Sequence, residues 1–355
     1  MIYKKNFFDL GPYSLSNDKK ILFYLNHMSN LIKHHYHKSD AYKKIINFLE
    51  YDFKNRDIEK MPYLPITLFK ELELISVKKN KIFKTLTSSG TTSNIKSKIF
   101  LDKENSNYQI LVLSKLTKEI IGNNRLPMLI VDSKSVLRDR KQFSARGAAI
   151  LGFSLYGKNI TYALDENLDL DFDVLLNFLK KNLNNKCIIF GFTYLLWKNF
   201  YLKIKKKGIK IDLSNFIIIH GGGWKKLQAE SITNDHLKKS FQKILNTKKI
   251  INYYGMVEQT GSIFFECDQG YFHTSVFSEI ITRRNDLSVC NFLEEGIVEL
   301  MSLLPTSYPG HILLTQDKGA IYGVDDCKCG KLGKYFKISG RLIDSELRGC
   351  SDSVA

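Results

Sequence analysis

Four short and largely apolar runs recur along the middle of this chain, and patterns typical of helices separate them. Runs of this length bounded by turn signals favour buried strands, and intervening helices favour parallel β-α units with both sheet faces covered. We therefore predict a parallel α/β core. Ligands of such sheets bind beyond the carboxyl ends of the strands. The runs are 126–132, 187–191, 216–220 and 249–255, and glycines 221–223 and residues 254–255 lie at two of these ends.

The two flanks of this core show different patterns. Between residues 18 and 57, apolar residues recur at helical spacing and predict two helices. His34, His35 and His37 lie at their junction, and we interpret them as solvated or locally hydrogen-bonded rather than metal-binding. Beyond Gly261, strand patterns separated by turns predict a smaller, mostly antiparallel β portion. The predicted organisation is a helical segment 1–84, an α/β core 85–260 and a β-rich portion 261–355, all within one unit.

Charge and targeting signals exclude several classes of protein. The 355 residues carry a net charge of +17, but the lysines are scattered, without an arginine-rich arm or an aromatic-basic repeat. We interpret the charge as solvated surface that also suits ATP or an acidic carrier protein, and we expect no nucleic-acid partner. The N-terminus lacks a secretory signal, and no apolar run reaches the roughly 18 residues of a membrane span. We expect a cytoplasmic protein.

Hydroxyl side chains crowd around one glycine in the stretch that precedes the core. Its central residues are Ser88, Ser89, Gly90, Thr91 and Thr92, and Lys96 follows. A glycine without a Cβ lets the backbone approach an anion, while hydroxyl and N–H groups donate hydrogen bonds to phosphate oxygens. The single glycine does not match the spaced pattern of a P-loop. A polar surface turn is the alternative, and it stays open.

Three cysteines and one histidine of the β-rich portion form a second candidate group. Cys267 and His273 flank one turn signal, and Cys327 and Cys329 flank a single lysine. Three thiolates and one imidazole suit a closed tetrahedral zinc site. The spacing is not that of a standard zinc finger, so free cysteines on separate loops remain an equal alternative.

Taken together and in order, several motifs resemble those of the adenylate-forming enzymes, which join a carboxylate to AMP. The likeness is greatest to the acyl-protein synthetases of bacterial bioluminescence operons, the LuxE type, and more distant to the phenylacetate-CoA ligases. It extends over nearly the whole chain and implies the large-domain fold of adenylate-forming enzymes. The motifs are residues 88–92, 221–225, 254–259 and 315–317 with 340–341, supported by 61–70, 144–148 and 348–352.

The resemblance implies a role for each of these motifs. The Ser88–Thr92 loop, with Lys96 or Lys98 as counter-charge, would hold the β- and γ-phosphates of ATP. Glu258 would hold Mg²⁺, a hard cation that takes oxygen ligands. The remaining implied nucleotide contacts are Gly221, Gly222 and Gly223 against the flat face of adenine, Tyr254 stacked on that base with Gly255 beside it, Asp317 on the ribose hydroxyls, and Arg341 near the ribose or a phosphate.

The same resemblance implies the reaction. A carboxylic acid, a fatty acid in the bioluminescence systems, would be activated as acyl-AMP and then transferred to the thiol of Cys350. From there it would pass to a partner protein, an acyl reductase or a carrier protein. A thiolate is a good nucleophile toward a mixed anhydride, and a nearby arginine lowers a thiol pKa.

Two alternatives remain at this point. An acyl-CoA or acyl-carrier-protein ligase would use the same adenylation step with another acceptor. A non-catalytic nucleotide-binding or scaffold module is the second, because no residue here matches the lysine that adenylate-forming enzymes carry in a further C-terminal domain. How adenylation would proceed without that lysine cannot be derived from the sequence.

Overall fold

The computed structural model describes residues 5–88, 96–138, 142–224 and 231–342 of the chain. Its mixed α/β architecture confirms the predicted class. The chain forms two compact units. Unit 1 contains the described residues 5–88, 96–116 and 255–342, and unit 2 contains 117–138, 142–224 and 231–254. The predicted boundaries at residues 84 and 260 stay predictions.

The helices and strands are numbered in chain order. The α-helices are α1 Asn17–Lys38, α2 Asp40–Phe48, α3 Leu68–Glu71, α4 Lys103–Ile121, α5 Ala145–Ser154, α6 Phe172–Lys181, α7 Thr193–Leu195, α8 Leu202–Lys207 and α9 Asn234–Leu245, with a π-helical turn Leu196–Tyr201 between α7 and α8. The strands are β1 Leu64–Pro65, β2 Lys84–Thr87, β3 Lys98–Leu101, β4 Leu126–Ser133, β5 Gln142–Ser144, β6 Gly157–Leu164, β7 Cys187–Phe192, β8 Phe216–Gly221, β9 Lys249–Gly255, β10 Ile263–Phe265, β11 Phe272–His273, β12 Ser278–Arg283, β13 Gly296–Ser302, β14 Ile312–Val324 and β15 Lys334–Arg341.

Unit 2 is built on a parallel sheet whose strands follow the order β9-β8-β7-β4-β6. Four of these strands are the predicted apolar runs, and β7 and β8 are buried along their whole length. The sequence does not predict β6, because residues 158–160 are exposed and break the apolar pattern of this edge strand. The parallel core is therefore confirmed, with one strand more than predicted.

Helices cover this sheet, and their ends follow local capping chemistry. Ile189 and Ile218 share a buried cluster with Phe200 of the π-helical turn and Phe241 of α9. The Thr233 hydroxyl accepts a hydrogen bond from the His236 N–H at 3.1 Å and so fixes the start of α9. The sequence predicts that this helix begins directly after the glycine triplet. The structure starts α9 at Asn234, directly after this cap, and residues 225–230 lie outside the described part of the chain.

Unit 1 contains a mostly antiparallel sheet in the order β11-β15-β14-β13-β12, with β1 parallel to β14. This confirms the predicted antiparallel portion. The sequence does not predict β15, and it ends β14 at residue 315 although the strand continues to Val324. None of the described helices has both the length and the apolar character that crossing a membrane requires.

The two predicted N-terminal helices are present as α1 and α2, but the interpretation of His35 is wrong. His35 is fully buried. Its Nε2 donates to the Pro305 carbonyl at 3.1 Å, and its Nδ1 accepts from the Ser76 hydroxyl at 2.7 Å. Both partners are distant in sequence, so no local pattern could have identified them. Burial lowers the pKa of His35 well below its ordinary value, which keeps the imidazole neutral.

A buried ion pair closes the carboxyl end of β4 in unit 2. Arg146 Nε donates to Asp132 Oδ2 at 2.6 Å, and its Nη2 pairs with Oδ1. The two side chains are 3% and 1% exposed. A buried pair with two parallel hydrogen bonds is hard to break, because removal of one partner leaves the other as an uncompensated charge.

We expect Asp132→Asn to lower the free energy of unfolding by about 3 kcal/mol, because the neutral amide no longer balances the charge of the buried Arg146 guanidinium. The measurement is the midpoint of urea unfolding. Glu166→Gln is the matched control, since Glu166 pairs with Arg138 on the surface, where the two side chains are 71% and 69% exposed. Equal midpoints for the two variants would contradict this account.

Candidate functional site

Three of the predicted site residues come together in unit 1. Arg341 lies directly opposite Asp317 on β15 and β14, and its Nε donates to Asp317 Oδ1 at 2.9 Å. Both charges act on the carboxyl group of Glu258, which lies about 60 residues before Asp317 in the chain. The arrangement therefore gathers two carboxylates and one guanidinium from three separate motifs.

Buried polar contacts fix the segment that carries Glu258. The Tyr308 hydroxyl donates to the Glu258 carbonyl at 2.8 Å. The Gln259 side chain donates to the carbonyls of Gly310 and Leu300 at 2.9 and 3.1 Å. Glu258 itself is only 5% exposed. Burial raises the pKa of its carboxyl, and the positive charge of Arg341 lowers that pKa in part.

The two ends of the Ser/Thr-rich loop lie in the same unit. Strands β2 and β3 are antiparallel, and Thr87 faces Lys98 across the pair. Ser88 N donates to the Ser97 carbonyl at 3.2 Å, and Ser97 N donates to Ser88 Oγ at 3.1 Å. Lys96 is exposed beside this closure. The loop therefore begins and ends at one hydrogen-bonded base. Of the predicted loop residues, Ser89, Gly90, Thr91 and Thr92 lie outside the described residues.

The glycine triplet lies in unit 2 at the carboxyl end of β8, where the sequence predicts it. The three positions differ physically. A Cβ on Gly221 would lie 2.6 Å from both the ring and the carbonyl of Tyr253, and Gly222 has a φ of +80°, which side chains rarely adopt. Gly223 is exposed, and no described atom lies within 4 Å of the position its Cβ would take. Packing therefore explains Gly221, and backbone conformation explains Gly222, but neither explains Gly223.

His220 precedes this triplet, and sequence reasoning overlooks it as a candidate. The Thr193 hydroxyl donates to the Gly221 carbonyl at 3.1 Å, so its oxygen accepts from His220 Nδ1 at 3.0 Å. His220 Nε2 is buried and has no hydrogen-bond partner among the described residues. Burial lowers the pKa of His220 to about 3, so the ring is neutral with Nε2 as a free acceptor. The signal in the sequence is a polar residue that ends an apolar strand directly before glycines.

The strand next to β8 supplies two further predicted residues. Tyr254 is half-buried near the end of β9. Gly255 is the last residue of that strand, and a Cβ there would lie 3.0 Å from the Ile263 side chain. Close packing therefore restricts position 255, whereas Tyr254 keeps part of its ring accessible.

The predicted Cys/His group is brought together in unit 1. The ligand atoms of Cys267, His273, Cys327 and Cys329 all lie within 4.8 Å of one another. Cys329 Sγ is 3.3 Å from His273 Nε2. Burial lowers the pKa of His273 to about 4, so its ring is neutral, which is the state that ligates metals. The structure therefore brings the four predicted ligands together, and metal binding by them stays a prediction.

Two turns of the same form shape this cluster. Gly270 N donates to the Cys267 carbonyl at 3.0 Å, and Gly330 N donates to the Cys327 carbonyl at 2.9 Å. Both glycines have left-handed backbones, with φ of +76° and +79°. Each turn thus presents a cysteine at its first residue and needs glycine at its fourth. Three sulfurs and one nitrogen at this spacing can surround one tetrahedral ion.

Cys350, the predicted acyl acceptor, lies outside the described residues. Within unit 1, the described residues can supply a carboxylate oxygen for a cation, a guanidinium for an anion and a group of thiols with one imidazole for a soft metal. Unit 2 supplies the exposed backbone of Gly223.

Comparison with known proteins identifies the family of this chain. The family described as "Acyl-protein synthetase, LuxE" matches residues 3–355. A long-chain-fatty-acid–luciferin-component ligase of Vibrio harveyi is 24% identical over 361 residues, covering 97% of this chain and 89% of that protein.

Solved structures share the fold. A 2-hydroxyisobutyryl-CoA ligase, in an open conformation with its acyl-AMP and CoA, superposes with a TM-score of 0.71 at 11% identity, over 93% of this chain and 76% of its own. A long-chain-fatty-acid-CoA ligase of Archaeoglobus fulgidus gives 0.51 at 13% identity, over 75% and 53%. The predicted adenylate-forming fold is confirmed, and the family match over almost the whole chain confirms the predicted family: this chain belongs to the LuxE family of acyl-protein synthetases.

Proposed function

We propose that this enzyme activates a long-chain fatty acid with ATP as acyl-AMP and transfers the acyl group through Cys350 to a partner protein in the cytoplasm. The observation that carries the proposal is the convergence of Glu258, Asp317 and Arg341 in unit 1. The three residues come from separate motifs, and their charges act on one another. The Vibrio harveyi relative, a ligase named for a long-chain fatty acid and a luciferin component, supports the choice of acid.

The residues present suit ATP and Mg²⁺. A buried carboxylate such as Glu258 needs compensating positive charge, and Mg²⁺ takes carboxylate oxygens together with substrate phosphates. When bound, this ion would neutralise charge that develops on the phosphates. Asp317 would accept hydrogen bonds from the ribose hydroxyls, and Arg341, held by Asp317, would provide a fixed positive charge for the phosphate side.

The reaction balances without an external redox partner. An acid carboxylate oxygen attacks the α-phosphorus, the bond to the β-phosphate oxygen breaks, and pyrophosphate leaves. The Cys350 thiolate then attacks the acyl carbon, and AMP leaves with the electron pair of the broken acyl–oxygen bond. A thiol of the partner protein takes the acyl group in the last exchange.

One observation favours a second candidate. The CoA ligase with a TM-score of 0.71 is bound to both its acyl-AMP and CoA. An acyl-CoA ligase would use the same adenylation residues, but its acceptor would be a free thiol instead of Cys350. The two candidates therefore differ only in the second step.

We further propose that the Cys267, His273, Cys327 and Cys329 cluster binds one structural Zn²⁺. Tetrahedral zinc with bonds of about 2.0–2.3 Å places its ligand atoms roughly 3.3–3.8 Å apart. The Cys329–His273 separation of 3.3 Å matches this range, and the upper limit of 4.8 Å for the set lies about 1 Å beyond it, so the four ligands would move closer together around an ion. Such an ion would tie the loop between β14 and β15 to β11.

The first step is tested by ATP–pyrophosphate exchange with a series of fatty acids, combined with intact-mass analysis. We expect exchange, and an acyl adduct on the wild type that disappears in Cys350→Ser while exchange continues. Cys290→Ser is the control, since Cys290 is a partly exposed cysteine outside the cluster. Full turnover of Cys350→Ser with CoA would instead establish the CoA ligase, and absence of exchange with every acid would count against adenylation.

The Gly223→Ala variant tests whether glycine is needed at position 223 for ATP binding rather than for packing. No described atom opposes the added methyl group, so we expect an unchanged melting temperature. The KM for ATP should rise about tenfold or more, because the methyl group would hold adenine away from the backbone. In contrast, Gly221→Ala should lower the melting temperature through its contact with Tyr253. An unchanged KM in a folded Gly223→Ala protein would show that adenine does not lie on this backbone.

Zinc is tested by elemental analysis of protein purified without added metal. We expect about one zinc per chain, lost together with thermal stability in Cys327→Ser, because structural zinc contributes directly to folding. Cys290→Ser again serves as control and should retain the metal. Wild-type protein that is metal-free and equally stable with and without a chelator would disprove the site.

A further inference from the structure

A basic cavity lies in unit 2 at the amino ends of the parallel strands. It has a volume of about 900 Å³, within the usual size of a small-molecule site. Arg125, Lys158, Lys181 and Lys186 line it, and none of the described residues lining it is acidic. The glycine triplet lies at the carboxyl end of β8 in the same sheet, so the cavity and the triplet lie at opposite ends of the strands.

The sheet register brings three of these cations together. Arg125 immediately precedes β4, Lys186 immediately precedes β7, and Lys158 is the second residue of β6. Strands β6 and β7 both pair with β4, and Pro127 faces Lys158 directly. Adjacent strands are about 4.8 Å apart, so three neighbouring strand starts place three positive charges on one edge. The fourth, Lys181, comes from the last turn of α6.

None of these four charges forms an ion pair with a described carboxylate, whereas Lys203 and Arg138 of the same unit pair with Asp169 and Glu166. Among the described residues, Lys186 Nζ donates to the Ile121 carbonyl at 3.4 Å. The negative end of the α6 dipole stabilises the charge of Lys181, but it does not act on the other three in this way. Like charges gathered in one concavity repel one another, and a bound anion would relieve that repulsion.

The cavity also offers neutral donors. Asn124, Asn159 and Asn177 line it with exposed side-chain amides. Lysine, arginine and amide N–H groups together match the many acceptor oxygens of phosphate groups. Concave shape and volume favour a compact ligand over a protein surface, which needs a broader and flatter contact.

We infer that this cavity is a second anion site, which binds a free small molecule carrying two or more phosphate groups. Its lining includes none of the predicted nucleotide contacts, so the inference does not depend on the proposed function. A ligand there would contact β4, β6 and β7 from the edge opposite the glycine triplet.

The test is calorimetric titration of the full-length protein with inorganic tripolyphosphate at moderate salt. It is run with and without a saturating non-hydrolysable ATP analogue, which occupies a nucleotide site where one exists. We expect binding in the presence of the analogue, weakened about tenfold or more in Lys158→Gln/Lys186→Gln. Both lysines are exposed, so the variant should keep the wild-type melting temperature.

Lys206→Gln/Lys239→Gln is the control, since it removes the same charge from exposed positions of unit 2 outside the cavity. It should alter the tripolyphosphate Kd less than twofold, in line with weak long-range effects of screened surface charge. Equal weakening in both double variants would show non-specific attraction and overturn the site. No binding of tripolyphosphate, but cavity-dependent binding of a polyglutamate peptide or of phosphatidylglycerol vesicles, would overturn the choice of ligand.

Discussion

One antiparallel pairing, β14 with β15, sets the positions of two separate groups of functional residues in unit 1. Near one end of the pair, Asp317 lies opposite Arg341; beyond the other end, the connecting loop carries Cys327 and Cys329. Pairing of β11 with β15 then places His273 opposite Tyr335, against the same loop. Because side chains alternate between sheet faces, a slip of one residue would move each group to the wrong face. The predicted nucleotide contacts Asp317 and Arg341 and the cysteine cluster therefore depend on one strand register, although their chemistry is unrelated.

Glycines hold that register in place. A Cβ on Gly319 would lie 2.5 Å from the Lys337 carbonyl, and one on Gly323 would lie 2.4 Å from the Tyr335 hydroxyl. Both positions lie at shifts of register, where an extra residue bends one strand and increases its twist. At Gly319 the facing backbone approaches closely where the register shifts, whereas at Gly323 the opposing atom belongs to the end of a side chain. The irregular ladder explains why a sequence pattern of strict alternation finds only the first third of β14 and misses β15.

The sequence predicts what depends on local pattern, and it fails where contacts are distant. Apolar runs identify four strands of the parallel sheet, and motif order identifies Glu258, Asp317 and Arg341 as one group. The sequence contains turn residues after Cys267 and Cys327, but only the three-dimensional structure shows that the two turns lie close together. His35 and His220 could not be assigned from the sequence, because Ser76, Pro305 and Thr193 become their partners through packing alone. The sequence pattern does not predict the edge strand β6, because most of the first half of this strand is exposed and partly polar.

The three glycines of the triplet meet different physical requirements. The same three letters satisfy a packing constraint at Gly221, a left-handed backbone at Gly222 and no internal constraint of the described structure at Gly223. Fold stability alone would therefore preserve two of the three positions in a protein that bound nothing. Only a requirement for glycine at position 223 would distinguish a nucleotide-binding strand end from a turn that is merely well packed. The Nε2 atom of the neighbouring His220 is buried and has no hydrogen-bond partner among the described residues, and such an acceptor costs free energy that packing does not recover.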